Sequence, residues 1–262
     1  MNRADRLSAV LDLLAENGQV EVEQIVELLD VSPATARRDL DALAEQQLLT
    51  RTRGGAVAHS VAYDLPIRYK NQQNPEAKAA IARAASAMVP RGAVIGLCGG
   101  TTATAIADAL MSRGDIMEPS HEPSLTVVTN AINIAMQLAM RPQIKTVVTG
   151  GVVHARSYEL VGAYVDAVLG SITLDLAFVG VNGIDPVLGP TSHDEREAAV
   201  NALMASRATH AVLVADASKI DKRAFAAIGS GRLFSTLITD NGVTRDQLAR
   251  LADRGYDVIV AE

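Results

Sequence analysis

The chain of 262 residues has one cysteine, no tryptophan and only 3% aromatic residues. One cysteine cannot form a disulfide within the chain, and so sparse a use of cysteine is typical of a reducing compartment, which predicts a cytoplasmic protein. Because aromatic side chains are so rare, the 48% of hydrophobic residues must build a core from alanine, valine, leucine and isoleucine.

The chain also has no long hydrophobic run. No stretch approaches the roughly 18 consecutive apolar residues that indicate a membrane-spanning helix. Asp5 and Asp12 interrupt the apolar positions near the N-terminus, so a signal peptide is not predicted. We therefore expect no membrane partner. The net charge of −6 identifies no class of partner by itself.

A helix with a polar outer side is predicted to follow Ser32. Ser32 is a favourable N-cap, and Pro33 suits the first helical position. The side away from the core carries Thr35, Arg37 and Arg38, whose hydroxyl and guanidinium groups are of the kind that contact phosphates and base edges of DNA. The apolar side, at helical spacing, consists of Ala36, Leu40 and Leu43.

Two amphipathic helices are predicted before this one and a β-hairpin after it. The first helix stops at Asn17-Gly18, and the second occupies the residues just before Asp30. Two short β-prone runs surround Gly54-Gly55, and they place Arg51 and Arg53 within reach of phosphate or of the minor groove. Three helices and a basic hairpin predict a winged helix-turn-helix, which we assign to residues 1–60.

The charge of this segment weighs against DNA binding, and a small helical bundle with solvated arginines is the alternative. Residues 1–60 hold six basic and ten acidic side chains, a net charge of −4, whereas DNA-binding domains are usually basic. The arginines of the third helix and the hairpin must therefore act locally, and the acidic residues of the first two helices should face away from DNA. The agreement of all the signals, in order, favours DNA binding.

The same residues carry a specific resemblance. Thr35-Ala36-Arg37-Arg38-Asp39-Leu40, followed by Arg51-Thr52-Arg53-Gly54-Gly55-Ala56, resembles the DNA-binding domain of DeoR-type transcriptional regulators. The pattern of that family is T-I-R-R-D-L and then R-x-x-G-G-A. Ala36 stands where the pattern has isoleucine, which predicts a smaller contact in the helix core. The resemblance extends over nearly the whole chain, and it implies a repressor because members of the family mostly repress.

The remainder of the chain is predicted to form a linker, residues 61–75, and an α/β domain, residues 76–262. From residue 91 onward, continuous apolar runs alternate with helical patterns. This alternation predicts a mostly parallel, doubly wound sheet, with a mixed α+β sheet as the alternative. The predicted strands are Ala93–Leu97, Leu125–Thr129, Lys145–Thr149, Leu176–Gly180, Ala211–Ala215, Leu237–Thr239 and Val258–Ala261.

Small and polar residues collect at the predicted carboxyl ends of these strands, where open α/β sheets bind ligands. Gly99 and Gly100 follow the first strand, and Thr101-Thr102 opens a helix. Such a loop offers backbone N–H groups, a helix N-terminus and hydroxyls to a phosphate. Each feature alone also suits a turn or a cap, but their recurrence at several strand ends favours a ligand site. The other candidates are Asn130, Gly150, Gly151, Asp185 and Lys219.

This set resembles the sensor domain of the same regulators, which is similar to ribose-5-phosphate isomerase and glucosamine-6-phosphate deaminase. The resemblance implies a phosphorylated sugar as the effector. We also expect a homo-oligomer, dimer or tetramer, and no cofactor. Cys98 stands where the family pattern L-D-x-G-T-T has aspartate, and a thiol accepts hydrogen bonds poorly. We expect Cys98 either to alter the ligand contact or to be a small buried residue.

The segment Thr191–Glu197 has three interpretations. It is an acid–base pair of the kind that isomerases need, or the capped and charged start of a helix, or part of a metal site with His193 and Asp185. Because no recurring ligand spacing is present, we predict no metal. Glu197 is included among the expected effector contacts.

Two function classes remain, a ligand-responsive regulator and a sugar-phosphate isomerase or deaminase with an accessory DNA-binding domain. Gly183-Ile184-Asp185-Pro186 offers one carboxylate where the isomerase pattern has two, and an isomerase has no use for a winged helix. We therefore predict a regulator and not an enzyme. It is expected to repress genes of sugar catabolism by binding double-stranded operator DNA, and to be released by a phosphorylated sugar.

Overall fold

The computed structural model describes residues 2–46, 48–57, 73–229 and 233–262, and the structural statements below concern those residues. The chain divides into two compact units, residues 1–73 and 74–262, and each is described by itself. The predicted linker over residues 61–75 lies largely outside the described residues.

The first unit contains the predicted three helices and the hairpin. The helix ends lie where the sequence predicts them, because Gly18 and Asp30 take left-handed φ values of 72° and 51° and Ser32 caps the third helix. The hairpin gains a third, antiparallel strand from residues 19–21, which was not predicted from the sequence. The elements are α1 (Arg3–Asn17), β1 (Gln19–Glu21), α2 (Val22–Leu29), α3 (Pro33–Glu45), β2 (Thr50–Arg51) and β3 (Gly55–Val57).

One ion pair joins α1 to α3 beside the aliphatic core of this unit. Arg6 of α1 binds the carboxylate of Asp39 on α3 through two hydrogen bonds, of which the Nη2–Oδ1 bond is 3.1 Å long. The side chain of Asp39 is only 3% exposed. A carboxylate at this depth is costly unless it is paired. The pair therefore fixes α3 against α1, beside the fully buried Ala36, Leu40 and Leu43.

One seven-stranded sheet, in which every strand is parallel to its neighbours, forms the centre of the second unit. Each strand matches a predicted one to within three residues at either end, so the predicted parallel sheet is confirmed. From edge to edge the strands are β15 (Asp257–Ala261), β14 (Thr236–Asp240), β12 (Ala208–Val214), β9 (Leu174–Gly180), β4 (Val94–Leu97), β5 (Leu125–Thr129) and β6 (Ile144–Val148).

Helices cover both faces of this sheet, as the doubly wound prediction requires. Along β9, Leu176 and Phe178 pack into one core cluster, whereas Ala177 and Val179 pack into the other. Burial on both faces explains why the strands appear in the sequence as continuous apolar runs. The helices of the first cluster are α4 (Pro75–Ala87), α5 (Thr101–Met111), α6 (Gly114–Met117) and α7 (Ile132–Ala139). Those of the second are α8 (Tyr164–Leu169), α9 (Glu195–Ser206) and α10 (Arg245–Asp253).

Two small antiparallel sheets stand beside the parallel one, and the sequence analysis missed both. Their strands are too short to show a clear alternation of apolar and polar residues. The helix after one of these sheets begins only at Tyr164, because the preceding residues pair in a hairpin. The hairpin consists of β7 (Val152–His154) and β8 (Glu159–Val161), and the other sheet of β10 (Gly183–Asp185), β11 (Gly189–Ser192) and β13 (Ala226–Ala227).

Removing the buried carboxylate of the first unit should destabilise it. Asp39→Ala should lower the free energy of unfolding by about 3 kcal/mol, because it leaves the Arg6 charge without its partner. Hydrogen–deuterium exchange at the amides of Leu40 and Leu43 measures this locally in the full chain. Glu45→Ala removes an exposed carboxylate from the same helix and is the control, with an expected change within about 0.5 kcal/mol. Equal exchange rates in the two variants would show that the pair is dispensable.

Candidate functional site

The exposed side of α3 carries the predicted DNA contacts. Arg37 and Arg38 are exposed, and neither makes a hydrogen bond or ion pair with any residue that the structure describes. At the start of the helix, the Oγ of Ser32 accepts a hydrogen bond from the Thr35 amide at 3.2 Å and lies 2.9 Å from the Thr35 hydroxyl. Two guanidinium groups and two hydroxyls are thus presented on one helix whose other side is buried.

The two arginines of the hairpin have different surroundings. Arg53 is exposed in the turn between β2 and β3. Arg51 instead donates from Nε to Asp41 of α3 at 2.8 Å and from Nη1 to the carbonyl of Gly55. A DNA contact by Arg51 would have to compete with Asp41. The DNA-binding role of Arg51 stays a prediction, and the structure gives it a second role, which is to join the hairpin to α3.

The loop after β4, which the sequence predicts to be a phosphate cradle, lies at the carboxyl ends of the parallel strands, the rim of the sheet. Gly100 precedes α5 with a φ of 105°, which glycine adopts at little cost. At Gly99 an added Cβ would overlap the side chain of Glu159, so this glycine admits that side chain against the loop. Thr101 and Thr102 are half-buried at the start of α5, and their hydroxyls bond to no described residue.

Asn130 attaches the β7–β8 hairpin to the end of β5. It is fully buried, its Nδ2 donates to Glu159 Oε2 at 2.9 Å, and its carbonyl accepts from the amide of Leu160 at 2.7 Å. Gly150 and Gly151, with φ values of 73° and 126°, turn the chain into the hairpin. The Oδ1 of Asn130 has no hydrogen-bond partner in the described part of the chain.

Glu197 of α9 contacts the hairpin from the other half of the sheet. Its Oε1 lies 2.7 Å from Nδ1 of His154 on β7. The hydroxyl of Ser192 lies 3.4 Å from Glu197 Oε2 and 3.1 Å from Asn182 Oδ1, and its single proton serves one or the other. Glu197 was expected from the sequence, whereas His154 and Glu159 were not. The hairpin residues gave no periodic signal that would have placed them at the rim.

Asp194 supports one of the three interpretations of the 191–197 segment, the capped start of a helix. Its Oδ1 accepts from the amides of Arg196 at 2.9 Å and Glu197 at 3.2 Å. A hydrogen bond from the Arg196 guanidinium lowers the pKa of Asp194 to about 2. Asp194 is therefore ionised at neutral pH and fixes the first turn of α9.

Cys98 is a small buried residue, as one of the two expectations had it. It is fully buried, and its Sγ lies 3.4 Å from Sδ of Met204 on α9. Burial raises the pKa of the thiol well above its ordinary value, and the charges of Glu159 and Glu197 raise it further. The thiol therefore stays protonated.

Two other predicted effector contacts have surroundings of their own. Asp185 accepts hydrogen bonds from the amides of Leu188 and Val187, each at 2.7 Å, and these bonds lower its pKa. It caps the β10–β11 turn and lines a cavity of about 590 Å³ beside α10. Lys219 ends a short 3-10 helix after β12, and its ammonium contacts no acceptor among the described residues. The effector roles of Asp185 and Lys219 stay predictions.

Two kinds of feature are absent from the part of the chain that the structure describes. No group of three or more histidine, cysteine, aspartate or glutamate side chains there is arranged to hold a metal ion. None of the helices described combines the length and the apolar character that crossing a membrane requires.

The chain matches known proteins over both units. Residues 6–61 match the family described as "DeoR-like helix-turn-helix domain", and residues 73–241 match "DeoR C terminal sensor domain". The chain is 30% identical over 240 residues to the glycerol-3-phosphate regulon repressor of Escherichia coli, with 92% of each protein covered. To the HTH-type transcriptional repressor GlcR of Bacillus subtilis it is 33% identical over 266 aligned positions, covering 100% of this chain and 98% of that protein.

Among solved structures, ribose 5-phosphate isomerase A from Methanocaldococcus jannaschii matches with a TM-score of 0.42 and 19% identity, over 56% of this chain and 55% of that one. The two full-length relatives carry the names of regulators and not of enzymes. With both family matches covering the two units in order, the resemblance read from the motifs is confirmed. The chain belongs to the DeoR family of transcriptional regulators, with a helix-turn-helix unit followed by a sensor unit.

Proposed function

We propose that this protein represses sugar-catabolism genes by binding operator DNA, and that it leaves the operator when a phosphorylated sugar occupies the rim of its parallel sheet. The observation that carries the proposal is that Arg37 and Arg38 of α3 are exposed and form no ion pair with any described residue. Elsewhere in this unit, Arg6 and Arg51 are bound to carboxylates, so their charges serve the fold.

The DNA half of the proposal rests on the geometry of arginine. A guanidinium offers a planar fork of donors that matches the O6 and N7 acceptors of guanine in the major groove. Arg37 and Arg38 are adjacent on the exposed side of a helix whose opposite side is anchored by the core. Arg53, exposed in the hairpin turn, supplies a charge for phosphate.

The effector half rests on a division of donors and acceptors along the rim. The loop Gly99–Thr102 presents backbone N–H groups, two hydroxyls and the amino end of an eleven-residue helix, all of which suit a phosphate. Glu197 and Asn130 present acceptor oxygens, which suit the hydroxyls of a sugar. A ligand with a phosphate at one end and hydroxyls along its length complements both parts, and Lys219 is the proposed additional phosphate partner.

Release from the operator requires that the sugar phosphate bind the free regulator more tightly than the DNA-bound one, because equal affinity shifts no equilibrium. A homo-oligomer, dimer or tetramer, would place two helix-turn-helix units on repeated half-sites.

Base readout is expected to depend on α3. Arg37→Ala and Arg38→Ala should each weaken DNA binding about fivefold to about a hundredfold, because a bidentate arginine–base contact contributes about 1–3 kcal/mol. The affinity is measured by fluorescence anisotropy on a duplex that the wild-type chain selects from a random library. Arg141→Ala, an exposed arginine after α7, is the control and should bind like the wild type. Unchanged affinity in the folded double variant of Arg37 and Arg38 would end the assignment of α3.

The β2–β3 hairpin is expected to contribute positive charge to DNA binding and no preference for a particular DNA sequence. Arg53→Ala should weaken binding to all duplexes alike and should reduce the slope of log affinity against log salt concentration by about 1. Arg51→Ala should do the same and should also loosen the hairpin, because its bonds to Asp41 and Gly55 are lost. Salt titrations with selected and scrambled duplexes separate these effects. A change in sequence preference without a change in slope would contradict the phosphate role of Arg53.

The response to effector is expected to depend on the rim. Thr101→Val removes a donor while keeping the shape, and Lys219→Ala removes a cation. Both should reduce the rise in Tm that a sugar phosphate produces in the wild type, because that rise follows the binding free energy. Both should still bind DNA, but should stay bound when the sugar phosphate is added.

The controls are Thr173→Val and Lys145→Ala, exposed positions at the amino ends of β9 and β6, far along the strands from the rim. The ligands are ribose 5-phosphate, glucosamine 6-phosphate and sn-glycerol 3-phosphate, with inorganic phosphate for comparison. Calorimetry that finds the same affinity in both rim variants as in the wild type would place the phosphate elsewhere.

A further inference from the structure

One carboxylate at the rim was not expected from the sequence and has no assigned role. Glu159, the first residue of β8, is 4% exposed. Its side chain lies against the loop after β4, where an added Cβ at Gly99 would overlap it. A hairpin from outside the main sheet thus delivers an acidic group to the loop proposed to hold the phosphate.

A buried acceptor next to this carboxylate indicates what the place is suited to bind. Asn130 is fully buried and its Nδ2 donates to Glu159 Oε2 at 2.9 Å. Its Oδ1, on the same amide group, has no hydrogen-bond partner among the described residues. A buried acceptor without a donor costs free energy, and a carboxylate accepts several hydrogen bonds at once. The complement of this pair is therefore a ligand that brings donors, such as the hydroxyl groups of a sugar.

Cys98 does not provide this acceptor. Its thiol packs against Met204 in the core. Burial raises the pKa of the thiol, and the nearby charges of Glu159 and Glu197 raise it further. The carboxylate that lies against the loop belongs to Glu159 and not to residue 98.

We propose that Glu159 determines the sugar specificity of this regulator by accepting hydrogen bonds from the effector's hydroxyl groups, with Asn130 Oδ1 as the second acceptor. This inference rests on the proposed function, because it concerns the ligand of the same rim. It also makes Glu159 and position 98 interdependent. An aspartate at position 98 beside Glu159 would place a third carboxylate where two are already buried, whereas the same aspartate beside an uncharged residue 159 would restore the original number.

The first test is binding of named ligands to the full chain. Ribose 5-phosphate, 2-deoxyribose 5-phosphate, glucosamine 6-phosphate, sn-glycerol 3-phosphate and inorganic phosphate are compared by calorimetry. Glu159→Gln should weaken the tightest sugar phosphate at least about tenfold, because a hydrogen bond to a charged acceptor is lost. Inorganic phosphate should change by less than about twofold, since its contacts are with the loop. Glu122→Gln, an exposed carboxylate before β5 and therefore at the amino ends of the strands, away from the rim, is the matched control and should match the wild type.

The second test uses the interdependence in a double-mutant cycle of Glu159→Gln, Cys98→Asp and the double variant. Cys98→Asp alone should lower the Tm and abolish sugar-phosphate binding. In Glu159→Gln, the added Cys98→Asp substitution should lower the Tm by less than it does in the wild type. The double variant should bind the sugar phosphate at least about tenfold more tightly than Cys98→Asp alone. This non-additivity is the signature of two groups that share one place. A purely structural role for Glu159 would leave the two substitutions additive.

The outcomes separate this inference from the proposed function. If no sugar phosphate binds the wild-type chain, the effector half of the proposed function fails and this inference fails with it. If sugar phosphates bind the wild type and Glu159→Gln alike, only the present inference is overturned. Equal losses for sugar phosphate and inorganic phosphate in Glu159→Gln would likewise overturn it, because Glu159 would then merely hold the hairpin in place.

Discussion

The sensor unit depends on one constraint, the burial of a parallel sheet on both faces. A sheet covered on both sides favours apolar side chains along its strands, and β9 shows this with alternate residues packed into two separate clusters. Polar and charged groups are therefore displaced to the ends of the strands. Since all seven strands run in the same direction, their carboxyl ends meet at one rim. The loop after β4, Asn130 and the start of α9 are neighbours for that reason.

The DNA-binding unit has an acidic composition, yet it presents positive charge on its surface. Two of its acidic residues, Asp39 and Asp41, are paired with Arg6 and Arg51. These pairs hold α3 against α1 and the β2–β3 hairpin against α3, so the arginines of this unit divide into paired and exposed ones. The positive charge available to DNA therefore depends on the arginines that are not paired with carboxylates, and not on the net charge of the segment.

Sequence patterns predicted what depends on neighbours along the chain. The helix ends at Gly18, Asp30 and Ser32, and the seven strands of the sheet, follow from local conformational preference and continuous hydrophobicity. What the sequence did not predict depends on residues far apart. The β7–β8 hairpin is too short for a periodic signal, and Glu159 reaches Asn130 only through the fold. Motifs placed Asp185 and Asn130 in one group, but the structure records Asp185 as the cap of its own turn.

The strand order determines the stage of synthesis at which the rim of the sensor unit can form. β4 lies between β5, which follows it closely in the sequence, and β9, which is made much later. During synthesis the earlier elements leave the ribosome first, so β4, β5 and β6 can pair before β9 and α9 exist. Asn130 and Glu159 belong to that early half, whereas Glu197 belongs to the late half. The rim is complete only when both halves have joined, so a nascent or half-folded chain does not yet hold these three side chains together.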